Sequence, residues 1–362
     1  MSKRFFHIVL LAVAMVISFA SCERRPLVDP SETVRIRIKV NVKAVTNVNT
    51  NIRTSVHMYS GTESLWQPKL DQLNPSMMRV LVYDPDTDRL LLQKFISSTT
   101  VDEDGQKVFA GDLGIGHGNY NFLVYNFDTP TTQVSEENRE STILAYTGEI
   151  SSTMRAKILG TKGDEDDYSG ISIHYEPEHL LVANERNVRI SPHDTMVVIQ
   201  TVANTVVDSY YLQVRVKGLK FASTATAVIS GLSPSNHIGL NERTVDPSAA
   251  VVFDMQKGYD SSIEDENQDV LCAVFNTFGK IEDISSNLYV TFSVYDIAGN
   301  LRQYTANLDE VFDSELCKKY HWLIINDEII DIPDPGTNPS GEGGGFQPQV
   351  DDWEEEVGEI AI

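Results

Sequence analysis

Cysteine is scarce: three in 362 residues, at positions 22, 272 and 317. None has the spacing of a zinc site or a redox pair. Positive charge is also scarce, with 29 Lys and Arg against 52 Asp and Glu and a formal net charge of −23. That balance argues against nucleic acid and anionic lipid as partners, because both are held by basic patches. Catalytic motifs are missing as well. Gly231-Leu232-Ser233-Pro234-Ser235 ends in Ser where a serine nucleophile elbow requires Gly. His174 and His179 are five apart across Pro177, which excludes a helical zinc pair. Asp84-Pro85-Asp86-Thr87-Asp88 opens like a calcium loop but has Arg89 sixth and Phe95 twelfth, so it reads as a polar turn. Gly114-Ile115-Gly116-His117-Gly118 lacks the strand-to-helix context of a phosphate loop and reads as a turn before Tyr120. The expectation is no enzyme, no metal and no cofactor.

The longest apolar run, from Ile8 to Ala20, is interrupted by Ser18. It is too short for a spanning helix, which needs about 20 residues. Lys3 and Arg4 precede it, and the small residues Ala20-Ser21 lead into Cys22. These are the three zones of a secretory signal. A cysteine directly after the cleavage position marks a bacterial lipoprotein, cut before Cys22 and lipidated on it. Several acyl chains, at about 0.8 kcal/mol per buried CH₂, anchor such a protein permanently. Losing Lys3 and Arg4 takes the formal charge from −23 to −25. In an oxidising compartment the remaining Cys272 and Cys317 are open to a disulfide. The apolar run Val270 to Phe275 around Cys272 suits a buried free thiol equally well.

The secondary structure reads as β almost throughout. Val34, Ile36, Ile38, Val40 and Val42 alternate with Arg35, Arg37, Lys39, Asn41 and Lys43, which predicts a strand with one wet face. Further strands are predicted at 78–83, 90–96, 107–111, 120–127, 170–175, 196–202, 210–216, 225–229, 250–254, 270–278, 288–295, 302–306 and 321–325. Residues 297–300 link two of these as a hairpin. Leu308, Phe312 and Leu316, at spacing four, predict a short helix within 307–320. Many short antiparallel strands imply an all-β fold of two β-sandwich domains. Strand signals pause between Glu176 and Glu185 and resume after Pro192, which puts the boundary there. The expected organisation is a signal peptide at 1–21, a lipidated linker at 22–32, and domains at 33–184 and 185–330. A Gly/Pro-rich tail follows at 331–362. The tail cannot pack a core. It ends in an acidic segment carrying Trp353, Val357, Ile360 and Ile362, apolar groups that suit a docking strand, the last strand of the chain's own domain or a disordered end.

Cys22-Glu23-Arg24-Arg25-Pro26-Leu27 followed by an alternating first strand resembles the lipid-anchored fimbrillin-like proteins of type V fimbriae. Met78 to Asp84, Gly118 to Phe127, Val214 to Leu219, Ala225 to Leu232 and the terminal Val350-Asp351-Asp352-Trp353 are similar to that family's strands and tail. The likeness is strongest to its fimbrial anchor and assembly proteins. It implies transthyretin-like (Greek-key) sandwiches and assembly by donor-strand exchange, in which an extended strand completes another subunit's sheet. Stalk subunits of the family lose their first strand to an arginine-directed protease, and Arg53 in the loop 45–62 is the matching candidate. An anchor would keep its first strand and hold the fibre base at the outer membrane. The expected partners are therefore other fimbrial subunits, with the membrane engaged only through lipid. No stacked acids follow Cys22, so the sequence assigns neither leaflet. The expected docking residues are Val34, Ile36, Ile38, Val40, Val42, Trp353, Val357, Ile360 and Ile362. The alternative is a surface lipoprotein that binds a glycan or host ligand, with Trp66, Trp353, Tyr168 or Tyr259 stacking on sugar rings.

Overall fold

A computed structural model of the chain describes residues 33–43, 48, 55–59, 74–103, 105–160, 168–281 and 288–337. The expected signal peptide at 1–21, Cys22, Arg53, Trp66 and the tail from 338 lie outside the described residues. The strands of the first half are β1 (Val34–Val42), β2 (Val56–Met58), β3 (Met78–Asp84), β4 (Arg89–Ile96), β5 (Thr99–Val101), β6 (Lys107–Ile115) and β7 (Gly118–Asn126). Next come β8 (Thr132–Ser135), β9 (Leu144–Thr147), helix α1 (Ser152–Leu159), β10 (Ser172–Tyr175), β11 (Leu181–Ile190) and β12 (Met196–Thr205). The second half begins with β13 (Asp208–Lys217), β14 (Ala222–Leu232), β15 (Ser235–His237), β16 (Glu242–Arg243), β17 (Ala249–Asp254) and β18 (Gln256–Asp260). It continues with β19 (Asp269–Thr277), β20 (Tyr289–Asp296), β21 (Leu301–Asn307), short helices α2 (Asp309–Phe312) and α3 (Glu315–Tyr320), and β22 (Trp322–Asp331). The fold is all-β, as the alternation predicts.

Two sandwiches of the same topology follow one another. The first is one eight-stranded sheet, β4-β3-β7-β11-β12-β1-β6-β5, whose two halves close over a shared core; the second pairs β10-β17-β14-β20-β21 with β2-β18-β19-β13-β22. Each half places its first strand parallel to its last, β1 beside β12 and β13 beside β22. β10 beside β17 makes a third parallel ladder among otherwise antiparallel pairs. The Asp84–Asp88 turn joins β3 to β4, with the Asp84 carboxylate accepting from the N–H groups of Asp86 and Thr87 at 2.9 and 3.3 Å. Its carboxylate closes the turn. The 297–300 hairpin is closed in the same way by Asp296, which accepts from Ala298 N and Asn300 N at 2.9 Å each.

Segments of the first half cover both outer faces of the second sandwich. Ile158, Leu159, Tyr168 and Ile173 pack on Val228, Ala250 and Val252. Val48, Val56 and Met58 pack against Tyr211, Val270, Cys272, Val274 and Trp322 on the opposite side. Between the halves, β9 of the first pairs with β15 of the second, above an apolar joint of Leu81, Tyr83, Leu123, Tyr125, Ile143, Ile238 and Phe278.

Strand β11 runs across the expected boundary at 184/185 and pairs with β7 on both sides of it. The predicted pause in strand signals at 176–185 therefore contains the start of a strand. A bulge lies between Glu185 and Val188, and Asn187 has φ 56°. The extra residue shifts the side-chain alternation, which erases the period-two pattern.

Candidate strand-exchange surface

The five apolar residues of β1 alternate inward because each neighbour is charged or amide-bearing, and burial of one face sets the register. All five are at most 6% exposed and lie in the first core with Val80, Val82, Phe122 and Val124. The backbone of β1 is paired on both sides, with β12 and with β6. Val34, Ile36, Ile38, Val40 and Val42 therefore build the chain's own core. The structure does not place them on an open docking edge. Trp353, Val357, Ile360 and Ile362 lie outside the described residues, as does Cys22.

The outward residues of β1 form a basic row. Arg35 and Arg37 both bind the Asp112 carboxylate on β6; Arg37 donates from Nε at 2.7 Å and from Nη2 at 3.0 Å. Hydrogen bonds from Arg37 and then Arg35 hold the Asp112 carboxyl well below the usual carboxylate range. Lys39 and Lys43 continue the row and are exposed.

Beside this row lies β12, Met-Val-Val-Ile-Gln-Thr-Val-Ala-Asn-Thr, with no charge, proline or glycine in ten residues. Its inward residues Ile199 and Ala203 join the first core. Its outward residues Met196, Val198 and Val202 are 50%, 49% and 47% exposed. β12 pairs with β11 only through Asn204 and Thr205, so the two strands part toward their connecting turn. A cavity of about 480 Å³ opens where they diverge, lined by Ala183, Glu185, Gln200, Val202 and Asn204 among others. Lys43 N donates to Ala203 O at 3.1 Å. In a parallel ladder, residues two apart point the same way. The backbone groups of Val197, Ile199 and Thr201 therefore face β1, and those of Met196, Val198, Gln200 and Val202 face the open side. This edge was not singled out from the sequence. Its signal is a strand-length run without charge, visible once adjacency is known.

Cys272 and Cys317 are both buried. Val270, Cys272 and Val274 face the outer cluster, whereas Leu271, Ala273 and Phe275 face the second core, which also holds Cys317. The two thiols lie on opposite faces of one sheet, an arrangement that suits the buried-thiol alternative. Burial pushes the Cys317 thiol up to about 11. Tyr168 is 1% exposed and its hydroxyl donates to Val228 O at 2.7 Å, which removes it from the sugar-stacking candidates. Tyr259 stacks on His57 at 4.9 Å and tilts against exposed Tyr59 at 5.6 Å. Bonding to Asp269 pushes the Tyr59 hydroxyl up to about 12. His174 and His179 are used locally: His174 Nδ1 lies 2.9 Å from Thr147 O, and His179 Nδ1 lies 2.9 Å from Thr205 Oγ1. A polar cavity of about 720 Å³ between the halves contains Arg243, which donates to Asp208 at 2.6 Å, together with Lys280 and Asn236. No helix among the described residues is long and apolar enough to cross a membrane.

A family model described as a domain of unknown function, DUF5119, matches residues 65–254, more than half of the chain. The chain belongs to the DUF5119 family. The matched region of this DUF5119 protein runs from before β3 through β17, so it takes in most of the first sandwich and the joint. A Bacteroides ovatus protein provisionally named fimbrium anchoring subunit Fim4B is 24% identical over 374 residues, covering 97% of this chain and 96% of the relative. A crystal structure of an adhesin candidate from Bacteroides ovatus superposes with a TM-score of 0.56 at 18% identity, over 87% of this chain and 98% of that one. The fimbrial anchor protein Mfa2 from Porphyromonas gingivalis gives a TM-score of 0.44 at 9% identity, over 81% and 88% of the two chains. None of these is named as an enzyme. The resemblance to fimbrial anchor proteins, read from strand patterns, agrees with the name of the end-to-end relative.

Proposed function

We propose that this protein is an outer-membrane lipoprotein that serves as a fimbrial anchor or minor subunit. Lipid on Cys22 holds it to the membrane, and strand exchange through residues 353–362 joins it to other fimbrial subunits. The observation that carries the reading is the end-to-end match to a relative named as a fimbrium anchoring subunit. Retention of β1 within the first core suits an anchor, which keeps its first strand. The shared topology of the halves supports two sandwich domains, divided after Thr205 so that no sandwich ladder is cut.

An immunoblot of outer membranes, boiled against unboiled, tests the assembly. Strand-exchanged polymers resist detergent until heated, so the full chain is expected to give an unboiled high-mass ladder. Deletion of 338–362, which spares every described residue, is expected to remove that ladder, and Cys22→Ser to remove the protein from membranes. A single monomer band from the full chain would refute strand exchange. It would favour the second reading, a surface lipoprotein binding a glycan or host ligand through the exposed ring cluster of His57, Tyr59 and Tyr259.

A further inference from the structure

Open sheet edges invite pairing, and folded proteins protect them with charge, brevity or bulges. The other sandwich edges here follow that rule. β5 and β2 are three residues long, β10 is four, β4 carries Arg89 and Lys94, and β21 carries Arg302. β22, the counterpart of β12 in the second sandwich, is bulged and carries Asp331. β11, across the cleft, is bulged and carries Glu185, Arg186 and Arg189. β12 has none of these protections along Met196–Ala203. Its outward apolar row, Met196, Val198 and Val202, is half exposed.

We propose that this edge of β12 is the acceptor for the C-terminal segment 350–362 of this chain, which adds beside it as an extended strand. The inference rests on the reading above that this segment docks, and it names where. Three features select the occupant. The segment carries six acids and no base, alongside Trp353, Val357, Ile360 and Ile362. A strand added to β12 lies two strand spacings, about 10 Å, from the β1 row. That row holds Arg35, Arg37, Lys39 and Lys43, and Asp112 pairs with its two arginines. Acidic side chains on the added strand meet that positive field, while its apolar side chains cover Met196, Val198 and Val202. A second copy of β12 on the same edge would instead bring two basic rows within about 14 Å of each other.

Length agrees as well. Eight residues of edge span about 26 Å, which a 13-residue segment covers. Residues 338–349 form a Pro- and Gly-rich tether that extends to about 40 Å. Met196, Val198 and Gln200 supply ladder groups on the open side, whereas Val202 O already accepts from Asn204 Nδ2 at 3.3 Å. The ladder is therefore centred on the first part of β12.

Disulfide trapping in the full chain carrying Cys22→Ser tests this, because Cys272 and Cys317 are buried and silent. Val198→Cys combined with Val357→Cys is compared with Arg302→Cys combined with Val357→Cys, which samples the β21 edge. The first pair is expected to cross-link at least about ten times faster, as a tethered or strand-exchanged contact raises local concentration. A compacted monomer and a dimer each place the segment on β12, from the same or a neighbouring copy. Lys39→Glu or high salt is expected to slow the reaction. Equal rates for the two pairs, or faster trapping at β21, would overturn the assignment. So would dimers formed by Val198→Cys alone at the rate of the pair, which would make the occupant a second β12. If Val198→Cys is never trapped while deletion of 338–362 still abolishes the heat-labile ladder, the site is wrong and the docking reading survives. If deletion also changes nothing, both fall.

Discussion

Asp260 offers the sharpest test of how the first half is fastened to the second. It ends β18, where β2 pairs through Val56. Its carboxylate accepts from Gln213 Nε2 at 2.9 Å and from Ser262 N and Oγ at 3.0 and 2.6 Å. Gln213 Oε1 in turn accepts from the Tyr211 hydroxyl at 2.6 Å. Burial pushes the Asp260 carboxyl up, but hydrogen bonds from Ser262, Gln213 and Ser55 outweigh it and bring it down to about 2 from 3.8. That difference is worth on the order of 1–2 kcal/mol. Because the folded-state value lies below the unfolded one, the stabilisation is complete above pH 3.8 and is lost as pH falls toward 2. Asp260→Asn should therefore lose about 1–2 kcal/mol at neutral pH. The gap from the parent should close across that acid window. Urea titrations at a series of pH values would measure this, with fluorescence reporting on Trp322 in the same outer cluster. An unchanged denaturation midpoint at pH 7, or a gap that persists at pH 2, would refute the argument.

Ile38→Ala, at 1% exposure in the first core, should destabilise the chain by about 2–5 kcal/mol, read as a lower denaturant midpoint. Tyr168→Phe should cost about 1 kcal/mol by removing the buried bond from its hydroxyl to Val228 O. It should leave any glycan binding unchanged on an array. In the Cys22→Ser chain, alkylation at pH 8 should label neither Cys272 nor Cys317 until denaturant is added. Reducing agent should not shift the melting temperature, whereas a shift would show a disulfide.

Much of the fold was legible because period-two alternation is a local signal. The inward face of β1 follows from Val34 to Val42 whatever it packs against, and the 297–300 hairpin from its turn residues. The partner of β1 is not local. β12 lies more than 150 residues away and runs parallel, and no pattern in either strand encodes that pairing. β11 escaped notice because its bulge breaks the alternation, so the stretch 176–185 reads as a pause although a strand begins in it. The candidate site divides in the same way. The cysteine that follows the apolar run and the small residues Ala20-Ser21, and the acidic–apolar end, are legible in the chain itself, since composition and spacing need no fold. That Cys272 and Cys317 face opposite sides of one sheet depends on which strands became neighbours. So does the presence of an uncharged edge beside a basic row. Pairing between distant strands was decided by burying two apolar faces at once, which only the closed sandwich brings together.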